Sequence, residues 1–585
     1  MTRPILIRSA TLLTALILSG AGGYLFVRFT GEGGLTALDI ARAVLVTFSG
    51  FWLVWGGAAA VLGAFTPSKT AQNIGSSLPA GMTAILVPIY NEDPVATFAR
   101  IAAMNRSLVA LGVADRFHIA VLSDTQSTEG AAEEIIWFER LLREPAAEGR
   151  IFYRRRERNV GRKAGNIEDF VARSGAAYDY ALILDADSLM AGETIVELAL
   201  RMDRDSRMGL LQTLPQVIRA QTMFGRSMQF AASYLSPAFA RGAALMQGNE
   251  GPYWGHNAIV RVKAFAASCG LPELSGKPPF GGHILSHDYV EAALLSRAGW
   301  KVQVDPHLGG SYEEGPENLI EYAKRDRRWC QGNLQHRRLV GAPGLKFWSR
   351  FTFVQGIMAY LASPLWLALL AASIGAAVFP DQAPVLAGFA TSEVSIWVLG
   401  AAVAAVLVVP KFLIFLRGLI DGRNRRFGGS WRVLGSILGE IAFSTVLAPV
   451  MLLLQSRAVA QVMLGLDGGW PATKRGQNWL SLGDAWAASW WIVLLGVLTL
   501  GSTMIFAPTI AIWVAPAMLP AIFAPALISF SSRPARGGRL PQLFRTDAEI
   551  NPSDVMIQQQ AIMSAWLSAD GLEPVHVEAR SHVSA

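Results

Sequence analysis

The sequence predicts a multi-span α-helical membrane protein with a cytoplasmic α/β domain inserted between its spans, and three observations carry that prediction. Hydrophobic residues make up 52% of the 585-residue chain and charged residues only 16%, with a mean hydropathy of +0.34. That balance is too apolar for a soluble enzyme and too charged for a chain buried wholly in lipid. The apolar residues are also unevenly placed: long uncharged runs flank a middle region in which short apolar strands alternate with helical patterns. Finally, the net charge of +7 fits the concentration of Lys and Arg on the cytoplasmic side of membrane spans more simply than it fits a nucleic-acid partner, so no nucleic acid is expected. Cys269 and Cys330 are too few for a disulfide framework and read as reduced thiols.

Residues 1–70 read as two transmembrane helices. Ser9 to Val27 is uncharged, long enough to cross a bilayer and preceded by Arg3 and Arg8; a cleaved signal peptide is the rival reading. The uncharged run Ala43 to Ser68 follows after a loop whose Arg28, Glu32, Asp39 and Arg42 cancel. The N-terminus is therefore placed in the cytoplasm, to which the chain returns near Lys69. Residues 71–350 form the cytoplasmic domain, with strands at Ala84–Ile89, His118–Leu122 and Ala181–Leu184 and a helical pattern at Glu129–Arg143. No Lys or Arg occurs from Phe351 through Pro410, so 351–420 reads as two spans around an acidic turn with Asp381 and Glu393.

Arg417, Arg423, Arg425, Arg426 and Arg432 mark the return to the cytoplasm and the segment 421–484. Within it Val433 to Ser456 is apolar enough to span, but Glu440 and Pro449 interrupt it. A crossing there would place Lys474, Arg475 and the basic tail from Arg533 outside, against the charge bias, so a re-entrant or interfacial helix and six full crossings are expected. Ala485 to Ser532 is uncharged and, at 1.5 Å per residue, too long for one crossing. Residues 485–532 should be two spans turned at Pro508 or Pro516. Residues 533–585 read as a polar cytoplasmic tail without a domain of its own.

Four clusters in the middle region carry candidate chemistry: Val87-Pro-Ile-Tyr-Asn-Glu-Asp93, Val121-Leu-Ser-Asp-Thr125, Asp185-Ala-Asp187, and a fourth running from Ser286-His-Asp288 to Arg325-Asp-Arg-Arg-Trp329. The first three each end an apolar strand, where ligands of open α/β sheets gather. Asp185 and Asp187 suit a hard divalent cation that bridges nucleotide phosphates, although a lone Asp-x-Asp is by itself an ordinary polar turn. Lys163, in the glycine-flanked Gly161-Arg-Lys-Ala-Gly165, could add a point charge to the same phosphates; its other reading is a solvated residue at a helix start. Trp329 offers a flat apolar face for a sugar ring, or is a core residue. Arg154-Arg155-Arg156 reads as a solvated or lipid-facing patch, and His283 with His287, at i, i+4, as structural.

The order and spacing of these clusters resemble the processive family 2 glycosyltransferases, which include cellulose, chitin and hyaluronan synthases. The resemblance implies a GT-A, Rossmann-like catalytic domain. It assigns Tyr90, Asn91, Glu92 and Asp124 to the uridine, and Asp185 and Asp187 to the diphosphate and its Mg2+ or Mn2+. It makes Asp288 the catalytic base and puts Arg325, Arg328 and Trp329 at the acceptor site. Trp470-Pro-Ala-Thr-Lys-Arg-Gly476 resembles the gating loop of cellulose synthase, with Thr473 and Lys474 reaching over bound UDP; an ordinary basic loop is the other reading. Gly255-His-Asn257 reads as either a donor-sugar pocket or a structural loop.

Two departures refine the resemblance. Ser286-His287-Asp288 replaces the usual Thr-Glu-Asp, and Arg325 stands where the acceptor motif carries Gln. With Asn159–Asn166 and Arg325–Asn333 they look like the glucans biosynthesis glucosyltransferase H family, bacterial inner-membrane enzymes. That family builds the β-1,2-linked backbone of osmoregulated periplasmic glucans from UDP-glucose. The resemblance thus implies an inverting enzyme that exports its growing glucan through the lipid bilayer, with acyl carrier protein and periplasmic glucan-processing proteins as partners. A synthase of another glycan, such as β-1,4-glucan, and a non-catalytic UDP-sugar sensor are the alternative readings.

Overall fold

The computed structural model describes residues 3–30, 34–67, 78–386, 395–466, 479–535 and 542–569. Helices α1 (Arg3–Thr30) and α2 (Ala37–Phe65) pack against each other, and α2 opens with a Thr36–Asp39 capping box.

The chain then builds the inserted α/β domain. Its elements are β1 (Thr83–Ile89), α3 (Pro94–Ala110), β2 (Phe117–Ser123), α4 (Thr128–Leu141), β3 (Ile151–Arg155), α5 (Arg162–Ser174) and β4 (Tyr180–Ile183). There follow β5 (Leu189–Met190), α6 (Gly192–Arg204), β6 (Met208–Thr213), β7 (Gln216–Ile218), α7 (Met223–Phe230), α8 (Ser236–Gln247), β8 (Ala258–Arg261) and α9 (Val262–Ser268). The domain closes with α10 (His287–Arg297), β9 (Lys301–Asp305), β10 (Ser311–Glu314) and α11 (Leu319–Gln335).

Seven strands form one sheet in the order β3-β2-β1-β4-β8-β6-β9, and β5-β10-β7 form a small second one. In the large sheet β8 runs antiparallel to both its neighbours, and every other pairing is parallel. Buried on both faces, β1, β2 and β4 are nearly continuous apolar runs, as parallel strands between two helical layers must be. Ile85, Val87, Phe98 and Leu198 fill one face of the sheet, and Ala84, Leu86, Phe170 and Leu295 fill the other. Strand order reverses at β1, whose neighbours are β2 on one side and β4 on the other, so the crevice at their carboxyl ends is the topological switch point.

Helix α8 joins this domain to the membrane bundle. Gly242 and Ala238 of α8 meet Ala59 and Gly63 of α2 so closely that a side chain at either glycine would strike the facing backbone. The bundle continues with α12 (Phe347–Val378), α13 (Ile396–Ile420), α14 (Ser430–Met463), α15 (Leu482–Phe506), α16 (Pro508–Ile522) and α17 (Ala524–Ser531). Among the described residues, six helices are long and apolar enough to cross a membrane: α1, α2, α12, α13, α14 and α15. Helices α16 and α17 form a pair bent by 55° that would make a seventh. The turn after α15 falls at Ala507–Pro508, and the sharp bend falls at Phe523 rather than at Pro516, which α16 accommodates.

Helix α14, the segment expected to be re-entrant or interfacial, is unbroken for 34 residues and runs through Pro449. It touches the α/β domain along its whole length. Val433 and Ile437 pack with Phe230 and Tyr234, Leu447 and Val450 with Phe224 and Leu319, and Gln461 accepts a hydrogen bond from Arg327 at 2.9 Å. Glu440, which interrupted the apolar run in the sequence, is paired with Lys411 of α13 at 2.5 Å.

After α17 the chain returns to the α/β domain through α18 (Asp547–Ile550) and α19 (Asp554–Ala569). Val555, Ile562 and Trp566 enter the same core as α3 and β1. Trp566 stacks on Trp137 with ring centroids 5.6 Å apart, and the Arg140 guanidinium lies over both rings. Two ion pairs, Arg226–Glu549 at 2.8 Å and Arg426–Asp547 at 2.5 Å, tie this segment to α7 and to the loop after α13. The tail expected to be a plain polar extension thus supplies part of the α/β domain's core. Removing the indole should undock it: Trp566→Ala is expected to cost about 3 kcal/mol and to expose 554–569 to limited proteolysis at sites protected in the parent. Unchanged protection would contradict this packing.

Candidate active site

Strands β1 and β2 end side by side, with the Asp124 N–H donating to the Ile89 carbonyl at 2.9 Å. The turn after β1 is held by Asn91, whose N–H donates to Thr125 Oγ1 at 3.0 Å and whose φ of 56° is left-handed. Glu92 folds back onto the Tyr90 N–H, and Asp93 caps α3. Beneath this turn lies the buried Glu134, a residue with no motif around it. Its carboxylate accepts from Ser123 at 2.6 Å, Thr125 at 2.5 Å and Tyr153 at 2.8 Å, and so fixes the end of β2.

The arginine run is not a solvated patch. Ser123 of β2 is paired with Arg155 of β3, which brings Arg156 alongside Asp124. Arg156 grips that buried carboxylate at 2.7 and 2.9 Å and donates to the carbonyls of Val160 and Arg162. Arg154 is spent on Asp169 at 2.6 Å and on Asn166. The parallel register creates these contacts, and sequence alone does not disclose it.

Beyond β4, the Asp185-Ala-Asp187 turn rests on a buried polar ladder. The Asp185 N–H donates to Ser188 Oγ at 2.9 Å, Ser188 donates to Asn257 Oδ1 at 2.6 Å, and Asn257 donates to Ser311 at 2.7 Å. Lys163, in the first turn of α5, bridges the Asp185 carboxylate and the Gly255 carbonyl, the latter at 2.7 Å. Burial alone would raise the Asp185 carboxyl; Lys163 and His256 outweigh it and hold the group below the usual carboxylate range. Asp187 is 6% exposed.

Asp288 lies in the first turn of α10, across from Gly255. A Cβ at Gly255 would come within 3.5 Å of the Asp288 carboxylate, and its φ of +88° favours glycine as well. Burial pushes the Asp288 carboxyl up, only partly offset by His287, the Tyr289 N–H and Lys163. Of the two histidines read as structural, His287 is mostly buried beside Glu291 and His283 is exposed beside Glu273.

Helix α11 supplies Arg325, Arg328 and Trp329. The Arg325 guanidinium sits 4.5 Å from the Trp329 ring centroid and Trp329 is 38% exposed, leaving ring surface for a ligand. The charge of Arg325 also acts on Asp185 and on Glu313. Glu313, at the end of β10, is a site residue the sequence reading missed. It lies 3.5 Å from His256 Nε2, and burial raises its carboxyl. One cluster therefore gathers Lys163, Asp185, Asp187, His256, Asp288, Glu313 and Arg325, linked by the contacts and charges just described. Tyr90, Asn91, Glu92 and Asp124 stand at the β1–β2 end of the same sheet edge. Thr473 and Lys474 lie outside the described residues.

The donor set fits a hard divalent cation. Asp185 and Asp187 stand beyond the carboxyl end of β4, Asp185 partly open and Asp187 buried, and among the described residues no group of three His, Cys, Asp or Glu is placed to hold a metal. Two carboxylates plus substrate phosphates and water are the ligands Mg2+ takes in nucleotide sites.

A protein of Cereibacter sphaeroides called glucans biosynthesis glucosyltransferase H is 52% identical to this chain over 593 residues, covering 99% of each. The chain belongs to the glucans biosynthesis glucosyltransferase H family. A relative of the same name from Rhodopseudomonas palustris is 39% identical over 97% of this chain and 80% of its own. Residues 84–268 match the model for glycosyl transferase family 2, and residues 180–413 that for glycosyl transferase family group 2. A solved mannosyltransferase from Pyrobaculum calidifontis, in complex with GDP-Man and Mn2+, aligns with 65% of this chain and 96% of its own at 13% identity and a TM-score of 0.42. This member of the family is a membrane protein with a glycosyltransferase domain of the GT-A type inserted between its membrane helices.

The loop that leads into Asp288 carries its own pH dependence. His336 is fully buried and its Nε2 donates to the Ser286 carbonyl at 3.0 Å. Burial, partly offset by that bond, pushes the imidazole from 6.5 down to about 4. The fold keeps it neutral where the unfolded chain takes up a proton, so its stabilisation is complete above the unfolded value and is lost as pH falls toward the folded one. The loss should reach about 3 kcal/mol at most. The denaturation midpoint in detergent should drop between pH 7 and 5, and His336→Gln should flatten that slope; an unchanged slope in the variant would show that other groups set it.

Proposed function

We propose that the chain is an inverting, processive glucosyltransferase that polymerises glucose from UDP-glucose into the β-1,2-linked backbone of osmoregulated periplasmic glucans. The observation that carries the proposal is the cluster in which Asp185 and Asp187, the half-buried Asp288 and, through Arg325, the half-open Trp329 lie together beyond the carboxyl end of β4. The name of the relative at 52% identity supports glucan as product and glucose as the transferred sugar.

Tyr90, Asn91, Glu92 and Asp124 bind the uridine in this reading. Asp185 and Asp187 would hold Mg2+ or Mn2+, which supplies positive charge to the departing diphosphate. Lys163 stands beside them as a further cation. The acceptor sugar stacks on Trp329, with Arg325 and Arg328 alongside, and its hydroxyl faces Asp288. As that oxygen attacks the anomeric carbon and the carbon–oxygen bond to UDP breaks, Asp288 takes the hydroxyl proton, an assistance typically worth ~10²–10⁴ in rate. One displacement on an α-linked donor gives a β-linked product.

The catalytic domain faces the cytoplasm of a bacterial inner membrane in this proposal. The loop arginines support it: Arg423 and Arg426, expected on the cytoplasmic side, contact Tyr234 and Asp547, so their loop and the domain share one side. Helix α14 lies along the membrane face of the domain, since both its ends meet that domain. The remaining helices then make six crossings, counting α16 with α17 as one. A glucan is too polar to cross hydrocarbon unaided, which supports export through the bundle. Acyl carrier protein and periplasmic glucan-processing proteins remain proposed partners on the resemblance alone, as do Thr473 and Lys474 as gating residues.

Membranes containing the protein, given labelled UDP-glucose and Mg2+, should yield a β-1,2 polymer by linkage analysis; a β-1,4 polymer would overturn the product assignment and leave the mechanism. Asp288→Asn should cut synthesis by at least ~10²-fold while sparing UDP binding, and full activity in that variant would favour the sensor reading. Asp185→Asn should lose turnover and metal-dependent UDP binding together. Wild-type metal response in Asp185→Asn would remove this residue from the cation site.

A further inference from the structure

The residue before the proposed base is where the acidic motif departs from the related synthases: His287 stands where they carry Glu. It opens α10, and its Nδ1 lies 3.1 Å from Glu291 Oε1, one turn further on the same helix. Glu291 is 4% exposed. A carboxylate at that depth needs a cation or several donors. Cys269 approaches its main-chain carbonyl rather than its carboxylate; among the described residues neither the second carboxylate oxygen nor the Tyr253 hydroxyl finds a hydrogen-bond partner, and His287 Nδ1 meets Glu291 as an ion pair without hydrogen-bond alignment. Among the described residues, His287 is the cation within salt-bridge distance of Glu291.

The other groups facing Asp288 can be named element by element. Lys163 approaches from α5 through the Gly255 carbonyl, and Tyr253 from the segment before β8. Tyr289 follows on α10 itself, and Asp185 lies on the far side of Lys163. His336 reaches the Ser286 carbonyl from the end of α11. Of these, His287 is the immediate chain neighbour, and its counter-ion is fixed behind it.

We propose that the His287–Glu291 pair is an electrostatic support for Asp288: an imidazolium, held next to the base by its own counter-ion, that favours the ionised base. The inference rests on Asp288 being the base. The electrostatics agree with the geometry. Burial would lower His287, but Glu291 outweighs it and raises the imidazole above its ordinary value. The resulting charge opposes the rise that burial imposes on Asp288 and outweighs the smaller rise that Glu291 itself adds. An imidazolium at 287 and a carboxylate at 291 sum to no net charge beside the base, where a Glu at 287 would add a negative one.

The test is the pH dependence of kcat/KM for UDP-glucose in membranes carrying wild type, His287→Gln, the double variant His287→Gln/Glu291→Gln, and Asp288→Asn. In His287→Gln the acid limb should move up by about one pH unit, so that activity falls about tenfold below the limb and recovers at high pH, with donor KM within about twofold of the parent. The double variant, which also removes the stranded carboxylate, should place the limb between the two. If His287→Gln fails to fold, the double variant carries the test, its paired amides replacing the ion pair, and its limb should still lie above that of the parent. A uniform loss at every pH with the limb unmoved would overturn the proposal and leave the pair a structural one. Persistent turnover in Asp288→Asn would instead sink the base assignment itself.

Discussion

Gln335 accepts the N–H of Leu285 at 3.0 Å and His336 donates to the Ser286 carbonyl at 3.0 Å, so the loop entering Asp288 is suspended from the end of α11. The same helix, three turns earlier, carries Arg325, Arg328 and Trp329. The loop that leads into the proposed base is thus hydrogen-bonded to the helix that carries the proposed acceptor platform, which couples the position of α10 to that of α11. Transfer between a stacked sugar and a fixed donor needs that coupling, since a displacement of about 1 Å in a reacting group can cost a hundredfold in rate.

Helix α11 is in turn fixed to the membrane bundle by polar contacts. Asp326 accepts from Gln455 of α14 at 3.0 Å, and Ser363 of α12 donates to the same glutamine at 2.5 Å. All three residues are mostly buried, where an unsatisfied polar group is expensive, so the chain of bonds specifies one register of α11 against α12 and α14. Hydrophobic packing alone would tolerate sliding by a turn. The neighbouring Arg327 adds bonds to Gln461 and to the Leu466 carbonyl at the end of α14. The platform on which the acceptor is proposed to sit is therefore positioned by α14 and, through Gln455, by α12, one of the helices proposed to cross the membrane.

What the sequence disclosed and what it hid follow from the range of the interactions. Strands β1, β2 and β4 were legible because a strand buried on both faces must be apolar throughout, and the carboxylates that end them stand out against that run. Arg156 was misread because a run of arginines looks solvated until the β2–β3 register places one of them on Asp124. Glu134, Glu291 and Glu313 were missed for a related reason: a buried carboxylate far from any motif has no local signature, and its partners come from other elements. Helix α14 shows the limit of hydropathy. It meets the length and composition of a span, yet the side that faces α7 and α11 is covered by protein, and only the contacts reveal it.

The carboxylates of the pocket are separated in role by their surroundings. Asp185 is held below its ordinary range by Lys163 and His256, so it stays an anion across the pH range in which the protein folds and is a poor proton acceptor. Asp288 and Glu313 are pushed the other way by burial, Asp288 with only partial relief from its neighbours. An ionised group with a depressed value is suited to holding positive charge, whereas one with an elevated value binds a proton tightly enough to take it from a hydroxyl. The division is set by where the positive groups stand. Lys163 contacts Asp185 directly but reaches Asp288 only across Gly255. The bridge from Lys163 to the Gly255 carbonyl holds that ammonium on the Asp185 side.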